Sequence, residues 1–337
     1  MQKQLAKIWL TSYLLLANLV SIDPARAQTN GEDAGNEPVA APIVVTLLGT
    51  AAPTLRPERA GMSTLITIGK TSFLVDAGRG VVQQLAKLDP DNRAGTIAGI
   101  DRVLITHLHY DHIISLDDFW LSRWMNSRKR IPLRVWGPAG TSAFIENMVG
   151  AYQVDVADRF ARSESLGIRG QGNPRITIQT TEITEDGVFY DEDGIKITAF
   201  AVDHAMPTLG YRIDYADKAV VLSGDTTYTP NLIKHSQNVD LLIHEVFSIA
   251  PEYLNNPVGP IILKAHTTAE QAAEIFNLTK PKLAVYSHYG SFPSDDYNFD
   301  YVGQTRKHYT GKVVLGQDLM TVTIADDITV TPPMGPE

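Results

Sequence analysis

Short runs of β-branched and other apolar residues recur along the chain from residue 43 onward, and turns rich in glycine and aspartate separate them. Runs of this length and composition predict β-strands. Five predicted strands lie in the first half of the chain and seven in the second: 43–48, 64–68, 72–76, 102–105, 133–136, 176–180, 195–202, 209–215, 219–223, 241–244, 283–287 and 312–315.

Four longer segments have the apolar spacing of amphipathic helices. The last begins at Thr267-Thr268-Ala269-Glu270, which has the spacing of a capping box, and it ends before Pro281. Many strands interleaved with a few helices, in two similar halves, predict an α/β protein in which two sheets pack face to face with helices outside. The predicted helices cover 79–88, 116–126, 142–160 and the segment through Phe276.

The N-terminus has the pattern of an export signal. Lys3 and Lys7 precede the apolar stretch Ile8–Val20, and Ala25-Arg26-Ala27 forms an A-x-A site that places cleavage before Gln28. We therefore predict a signal peptide over 1–27, a flexible polar leader over 28–42 and one domain over 43–337, in a periplasmic or secreted protein. An uncleaved membrane anchor is the alternative.

Charge and composition limit which classes of molecule the chain can bind and which cysteine-dependent features it can have. The chain has 29 basic and 38 acidic residues, a formal net charge of −9, and it is 44% hydrophobic. An acidic chain is a poor non-specific partner for nucleic acid, because phosphate binding needs Lys and Arg. The chain has no cysteine, so disulfides, lipid anchoring through an N-terminal Cys and a Cys metal ligand are all excluded.

The strongest chemical signal is Thr-His-Leu-His-Tyr-Asp-His at 106–112, directly after the apolar run 103–105. His107, His109, Asp111 and His112 thus follow a predicted buried strand. Imidazoles two residues apart on an extended chain point to the same side, and nitrogen and carboxylate ligands suit zinc. The alternative is a polar loop that happens to be rich in histidine.

More candidate ligands follow other apolar runs, and each alone is explained more simply by a structural role at a strand end. Together they supply the number of ligands that two metal ions need. The residues are His204, Asp225, His244-Glu245, His266 and His288.

At this point the sequence resembles the metallo-β-lactamase superfamily, most closely its ribonuclease Z-like and exported arylsulfatase-like branch. The resemblance spans roughly residues 44–315 and implies an αββα sandwich of two mixed sheets with helices on the outer faces. THLHYDH is specific for the superfamily, and HEV, AHTTAE and SHYG point to the branch. The other matching motifs are LLGTAAP, FLVDAGRG, WGPAGT, VDHAMPTLGYRI and VLSGDTT.

The resemblance also implies roles for these residues. It assigns His107, His109 and His204 to one zinc ion, Asp111, His112 and His288 to a second, and Asp225 to both, with a hydroxide between the ions; Mn²⁺ or Fe²⁺ would suit the same ligands. His266 is implied as proton donor to the leaving group, Glu245 as the residue that orients it, and Asp111 as a further member of the catalytic set. Asp76 resembles a carboxylate that holds a ligand histidine, although a structural turn residue is an equal alternative.

One departure bears on the substrate. Ribonuclease Z of the common bacterial form carries a tRNA-binding arm between the motifs of His204 and Asp225, and the spacing here leaves room for one hairpin only. We therefore expect an exported dinuclear zinc hydrolase of small phosphate or sulfate esters. The alternatives are a lactone or carboxylic ester hydrolase, a ribonuclease Z-type 3′ tRNA endonuclease and a non-catalytic metal-binding protein.

The same considerations give the expected partners: a small ester, no nucleic acid and no stable membrane association once the signal is removed, with a homodimer left open. Two sets of aromatic residues are candidates for the walls of the cleft. Segment 118–130 offers Trp120, Arg123 and Trp124, whose alternative role is in an ordinary helix with core contacts. The other candidates are Tyr152, Phe247, Tyr289 and Phe292.

Overall fold

The first strand of the domain begins at Ile43. The computed structural model describes residues 40–89, 91, 93–127, 131–165, 176–293 and 299–333. The predicted signal peptide, 1–27, and the predicted leader as far as residue 39 lie outside these residues, as do 128–130 of the segment proposed to line the cleft. From Ala40 onward the described chain forms one compact unit.

The strands form two mixed sheets. The first has the order β15-β14-β1-β2-β3-β4-β5-β6 and the second the order β13-β12-β11-β10-β9-β8-β7. The first sheet consists of β1 (Ile43–Gly49), β2 (Ser63–Ile68), β3 (Thr71–Val75), β4 (Arg102–Leu104), β5 (Leu133–Gly137), β6 (Ile178–Glu182), β14 (Thr321–Ile324) and β15 (Ile328–Thr331). The second consists of β7 (Gly187–Glu192), β8 (Ile195–Val202), β9 (Thr208–Tyr215), β10 (Lys218–Leu222), β11 (Leu241–Ile249), β12 (Leu283–Phe292) and β13 (Val313–Leu315).

The helices connect these strands, and a 3₁₀ turn at Pro251–Tyr253 follows β11. The helices are α1 (Val81–Leu88), α2 (Arg93–Gly99), α3 (Tyr110–Ile113), α4 (Leu116–Asn126), α5 (Thr141–Ala151), α6 (Gln153–Ser165), α7 (Pro230–His235), α8 (Gly259–Leu263), α9 (Ala269–Thr279) and α10 (Tyr301–Arg306). None of the helices in the described part of the chain is long and apolar enough to cross a membrane.

Alternation along the strands places apolar side chains on both faces of each sheet. In β3, Phe73 and Val75 belong to the core between the sheets, while Leu74 points to the opposite layer. That layer packs against α1, α2, α4 and α5, and a third core lies between the second sheet and α7, α9 and α10. The predicted α/β sandwich with helices outside is confirmed.

Several predicted elements differ from the structure. The single helix predicted over 142–160 is two helices, α5 and α6, which are separated at Tyr152. The capping box is one residue later than predicted: Thr268, not Thr267, caps α9, and its partner is Gln271. Thr267 instead donates from Oγ1 to the carbonyl oxygen of Thr226 at 2.6 Å.

The proposal that Trp120, Arg123 and Trp124 line the cleft is wrong. All three lie on α4 and are buried. The Trp120 indole donates to the carbonyl oxygen of Ile176, and the Arg123 guanidinium donates to that of Ile100, so both side chains hold neighbouring backbone rather than face a substrate.

Candidate metal centre

The candidate ligands lie together because parallel strands of both sheets end at the same edge of the sandwich. β3, β4 and β5 are parallel to one another, as are β10, β11 and β12. Side chains at the carboxyl ends of neighbouring parallel strands meet, which is where open α/β sheets bind ligands. His107 follows β4, Asp225 follows β10, and His288 lies in β12.

One group of ligand atoms comes from His107, His109, His204 and Asp225. His109 Nδ1 lies 2.9 Å from His107 Nε2 and 3.1 Å from His204 Nε2. Asp225 Oδ2 lies 3.7 Å from His107 Nε2 and 3.9 Å from His204 Nε2. Three imidazole nitrogens and one carboxylate oxygen thus surround one position, as in a tetrahedral site.

A second group comes from Asp111, His112 and His288. Asp111 Oδ2 lies 3.2 Å from His288 Nε2 and 3.6 Å from His112 Nε2. Asp225 Oδ1 lies 3.5 Å from His112 Nε2 and 3.4 Å from His288 Nδ1. One oxygen of Asp225 therefore faces the first group and the other oxygen faces the second.

The residues present fit divalent metal ions. The buried atoms His112 Nε2 and His288 Nδ1 have no hydrogen-bond partner, although buried polar atoms are nearly always paired. Within the described chain, the ion pairs of Asp111 and Asp225 involve histidines alone. A cation between the groups would satisfy both the unpaired nitrogens and the buried carboxylates.

The electrostatics support the same conclusion. Burial lowers the pKa of His204 to about 4 and holds the pKa of His107 well below its usual value. Both rings are therefore neutral near pH 7 and offer a lone pair. Burial also disfavours charge on His112, but Asp225 and Asp76 hold its pKa well above the usual value. The two carboxylates thus favour positive charge at this position.

Hydrogen bonds at the far ring nitrogens fix the orientation of the histidines. His112 Nδ1 donates to Asp76 Oδ2 at 2.8 Å, and His204 Nδ1 donates to the carbonyl oxygen of Ala265 at 2.8 Å. The backbone N–H and the hydroxyl of Thr106 donate to the two oxygens of Asp76, each at 2.8 Å. These bonds leave Nε2 of His112 and His204 as the metal-facing atom.

The pair Glu245 and His266 lies beside the second group. His266 Nδ1 is 3.0 Å from Glu245 Oε1, and that oxygen also accepts the backbone N–H groups of Thr226 and Thr267 at 3.0 and 3.3 Å. Burial opposes charge on His266, yet the Glu245 carboxylate raises the pKa of His266 to about 9. A ligand atom of His266 lies within 4.8 Å of those of Asp225 and His288, so a protonated imidazole adjoins the centre.

The structure thus brings together all seven predicted metal ligands, the predicted catalytic residues Asp111, His266 and Glu245, and Asp76. His244 does not join them, because its ring packs against Phe276 in the core. Of the aromatic candidates, Phe247 stacks on His266 with ring centroids 5.2 Å apart, whereas the Tyr152 hydroxyl bonds Asp117. Sequence reasoning missed Thr106, Thr226 and Thr267, since a threonine that orients a carboxylate has no distinctive pattern.

Comparisons with known proteins find a family and relatives that match most of the chain. The family described as "Beta-lactamase superfamily domain" matches residues 71–289. Ribonuclease Z from Mycobacterium sp. (strain KMS) is 32% identical over 299 residues, which cover 86% of this chain and 99% of that protein.

Among solved structures, the metallo-β-lactamase fold protein YhfI from Bacillus subtilis superposes with a TM-score of 0.63 and 17% identity, covering 84% of this chain and 99% of that one. The short form of human tRNase Z superposes with a TM-score of 0.60 and 21% identity, covering 83% and 99%. At these identities the structures support the fold.

Proposed function

This chain belongs to the β-lactamase superfamily and is a metal-dependent hydrolase of ester bonds, and we propose that it cleaves small phosphate or sulfate esters at a dinuclear zinc site. The observation that carries the proposal is the ion pair of Glu245 and His266, 3.0 Å apart, beside the two groups of ligand atoms. A metal-binding protein would need the ligands alone, whereas a protonated imidazole at this position serves ester cleavage.

The residues have separate tasks in this proposal. His107, His109 and His204 would hold one ion and Asp111, His112 and His288 the other, with Asp225 between them. Divalent ions held there would activate water and neutralise charge on the ester. His266 holds a proton near pH 7 because Glu245 raises its pKa, and it gives this proton to the leaving oxygen.

A small substrate is favoured by the net charge of the chain, since an acidic net charge of −9 disfavours binding of a polynucleotide. The segment between His204 and Asp225 contains the hairpin of β9 and β10 and no long arm, as expected from the spacing. We further propose that residues 1–27 direct export, which would place the enzyme away from cytoplasmic RNA.

A nuclease is the second candidate, because the relatives named Ribonuclease Z align over nearly their whole length. Since the alignment of 299 positions takes in 86% of this chain and 99% of the relative, no long arm separates the two. The short hairpin therefore does not distinguish this chain from those relatives, and the substrate has to be decided by assay.

The deciding experiment compares four substrates on the purified, zinc-loaded protein: a bis-aryl phosphodiester, an aryl sulfate, a lactone and a precursor tRNA. We expect turnover of the phosphodiester or the sulfate. His266→Ala should lower this turnover by about 10²–10⁴-fold, as expected for loss of a general acid, while zinc content stays near that of the wild type. Full activity of H266A would remove the acid role. Preference for the lactone or for the tRNA would favour the corresponding alternative.

A further inference from the structure

The segment that joins β11 to α9, residues 250–264, exposes apolar side chains. We call it the β11–α9 segment. The side chains of Leu254, Val258 and Ile261 are 48%, 45% and 68% exposed. Glu252 and Lys264 are the only charged residues between positions 250 and 264. Connecting segments at the surface are usually polar, and clustered exposed apolar groups indicate a binding surface.

This segment is held in a defined shape. The backbone N–H of Ala250 donates to the carbonyl oxygen of Phe292 at 2.9 Å, and the ring of Tyr253 packs edge-on against that of Phe292 with centroids 5.4 Å apart. Gly259 lies so close to the chain that a Cβ there would be 2.7 Å from the carbonyl oxygen of Tyr253. The apolar side chains are therefore presented by an ordered support.

The segment ends at the catalytic residues. Its C-terminal neighbour Ala265 accepts the hydrogen bond from His204, and the next residue is His266. At its other end, Phe247 bonds through its N–H to the carbonyl oxygen of Thr267 at 2.9 Å and stacks on the His266 ring. One apolar side chain, Phe247, therefore contacts the proton donor, and the segment with the exposed apolar residues leads directly into it along the chain.

We propose that the β11–α9 segment and Phe247 form a leaving-group subsite that takes an aromatic or branched aliphatic alcohol. This inference rests on the proposed role of His266. In hydrolysis, the oxygen of water forms a new bond to phosphorus or sulfur, the bond to the leaving oxygen breaks, and that oxygen takes the proton of His266. The proton that the water loses then restores the protonated His266, so that water is divided between the two products. The leaving oxygen must lie within reach of His266, so the rest of the leaving group lies against the residues that flank it.

The same surface is unsuited to a polynucleotide leaving group. Further phosphates would need several Lys or Arg side chains, and the β11–α9 segment has one lysine. Apolar contact, in contrast, needs only the exposed side chains of Leu254, Val258 and Ile261.

The test uses two substrates whose leaving groups have nearly equal acidity, methyl phenyl phosphate and methyl 4-tert-butylphenyl phosphate, with the zinc-loaded protein. We expect kcat/KM to be about tenfold higher for the tert-butyl ester, because each buried methylene contributes about 0.8 kcal/mol and the group would be only partly covered. The triple variant L254S/V258S/I261S should abolish this preference. The matched control is Val154→Ser on α6, where an apolar side chain is 79% exposed, and it should retain the preference.

Equal kcat/KM values for the two esters with the wild-type protein would overturn the proposal. A triple variant that keeps the preference for the tert-butyl ester would also overturn it. If that variant in addition changed from dimer to monomer in sedimentation, the segment would be a subunit contact instead. If neither ester were cleaved, the proposed function would fail, and calorimetry with phenol and 4-tert-butylphenol would still decide the subsite. About tenfold tighter binding of the larger phenol, lost in the triple variant, supports the subsite, and equal affinities contradict it.

Discussion

At the scale of single residues, function depends on which proton each histidine carries. The pKa values of His204 and His266 are shifted in opposite directions. Burial lowers the pKa of His204 to about 4, while Glu245 raises the pKa of His266 to about 9 against the effect of burial. The first ring is thereby suited to bind metal and the second to donate a proton.

The Glu245→Gln variant tests this division of roles. His266 must be protonated to act, so activity should fall as the pH rises through its pKa. Removal of the carboxylate charge lowers that pKa, and the basic limb of the kcat/KM profile should move to lower pH. The measurement is a pH profile of both proteins, with His266→Ala as the control that has lost this limb. An unchanged basic limb in E245Q would contradict the pairing.

The sequence predicted the ligands but not the groups that orient them. Metal-ligating histidines at strand ends form a visible pattern, whereas the bonds from Thr106 to Asp76 and from His204 to Ala265 depend on tertiary contacts. Asp76 and His288 also have positive φ angles of 58° and 49°, a conformation that non-glycine residues rarely adopt and that no sequence pattern indicates.

At the scale of elements, polar residues inside strands explain why two predicted strands are too short. β11 and β12 continue to Ile249 and Phe292, whereas the predicted strands end at 244 and 287. Functional side chains such as Glu245 and His288 interrupt the apolar pattern there, so the pattern places the end of each strand too early. β7 and β15 escaped prediction because they lie at sheet edges and are largely exposed. β14 escaped prediction because it has only four residues, which alternate between threonine and a buried apolar side chain.

The close contact between Gly78, which follows β3, and the metal-binding loop, residues 106–112, gives a prediction at this scale. A Cβ on Gly78 would lie 2.5 Å from the carbonyl oxygen of Asp111 and 2.6 Å from the backbone nitrogen of Met62. Backbone atoms cannot move aside as a side chain can, so Gly78→Ala should displace the loop, lower the free energy of unfolding by about 1–3 kcal/mol and weaken metal binding. Urea unfolding and metal retention during dialysis against a chelator measure the two effects.

The control is Gly150→Ala on α5, where a Cβ would meet nothing within 4 Å. This variant should be neutral or more stable by up to about 1 kcal/mol, because alanine favours the helix. If G78A proved as stable as G150A and kept its metal equally well, close packing beneath the loop would not matter for the site.

At the scale of the whole molecule, the sandwich was predictable because each sheet packs one face against the other sheet and its opposite face against helices. Strands that are buried on both faces are continuous apolar runs in the sequence, and helices lie between them. The order of the strands and the meeting of side chains from the ends of several strands required the tertiary structure.

The proposed export of the whole protein is tested by expression of the full chain, residues 1–337, in a bacterial host, followed by cell fractionation and N-terminal sequencing. We expect the protein in the periplasmic or secreted fraction, with a mature N-terminus at Gln28, because Ala25-Arg26-Ala27 matches a cleavage site. Substitution of Ala27 by a bulky residue should block cleavage. Recovery of uncleaved, cytoplasmic protein would contradict the proposal.

We propose that two ions, held by seven side chains, carry out the hydrolysis. The most direct test of this proposal is titration of the metal-free protein with Zn²⁺ while hydrolysis of a bis-aryl phosphodiester is followed. We predict that activity rises until two ions are bound per chain, and that Asp225→Asn, which removes the carboxylate shared by both groups, binds zinc weakly and has little activity. Full activity after one equivalent, or two tightly bound ions without hydrolysis of any ester, would contradict the account.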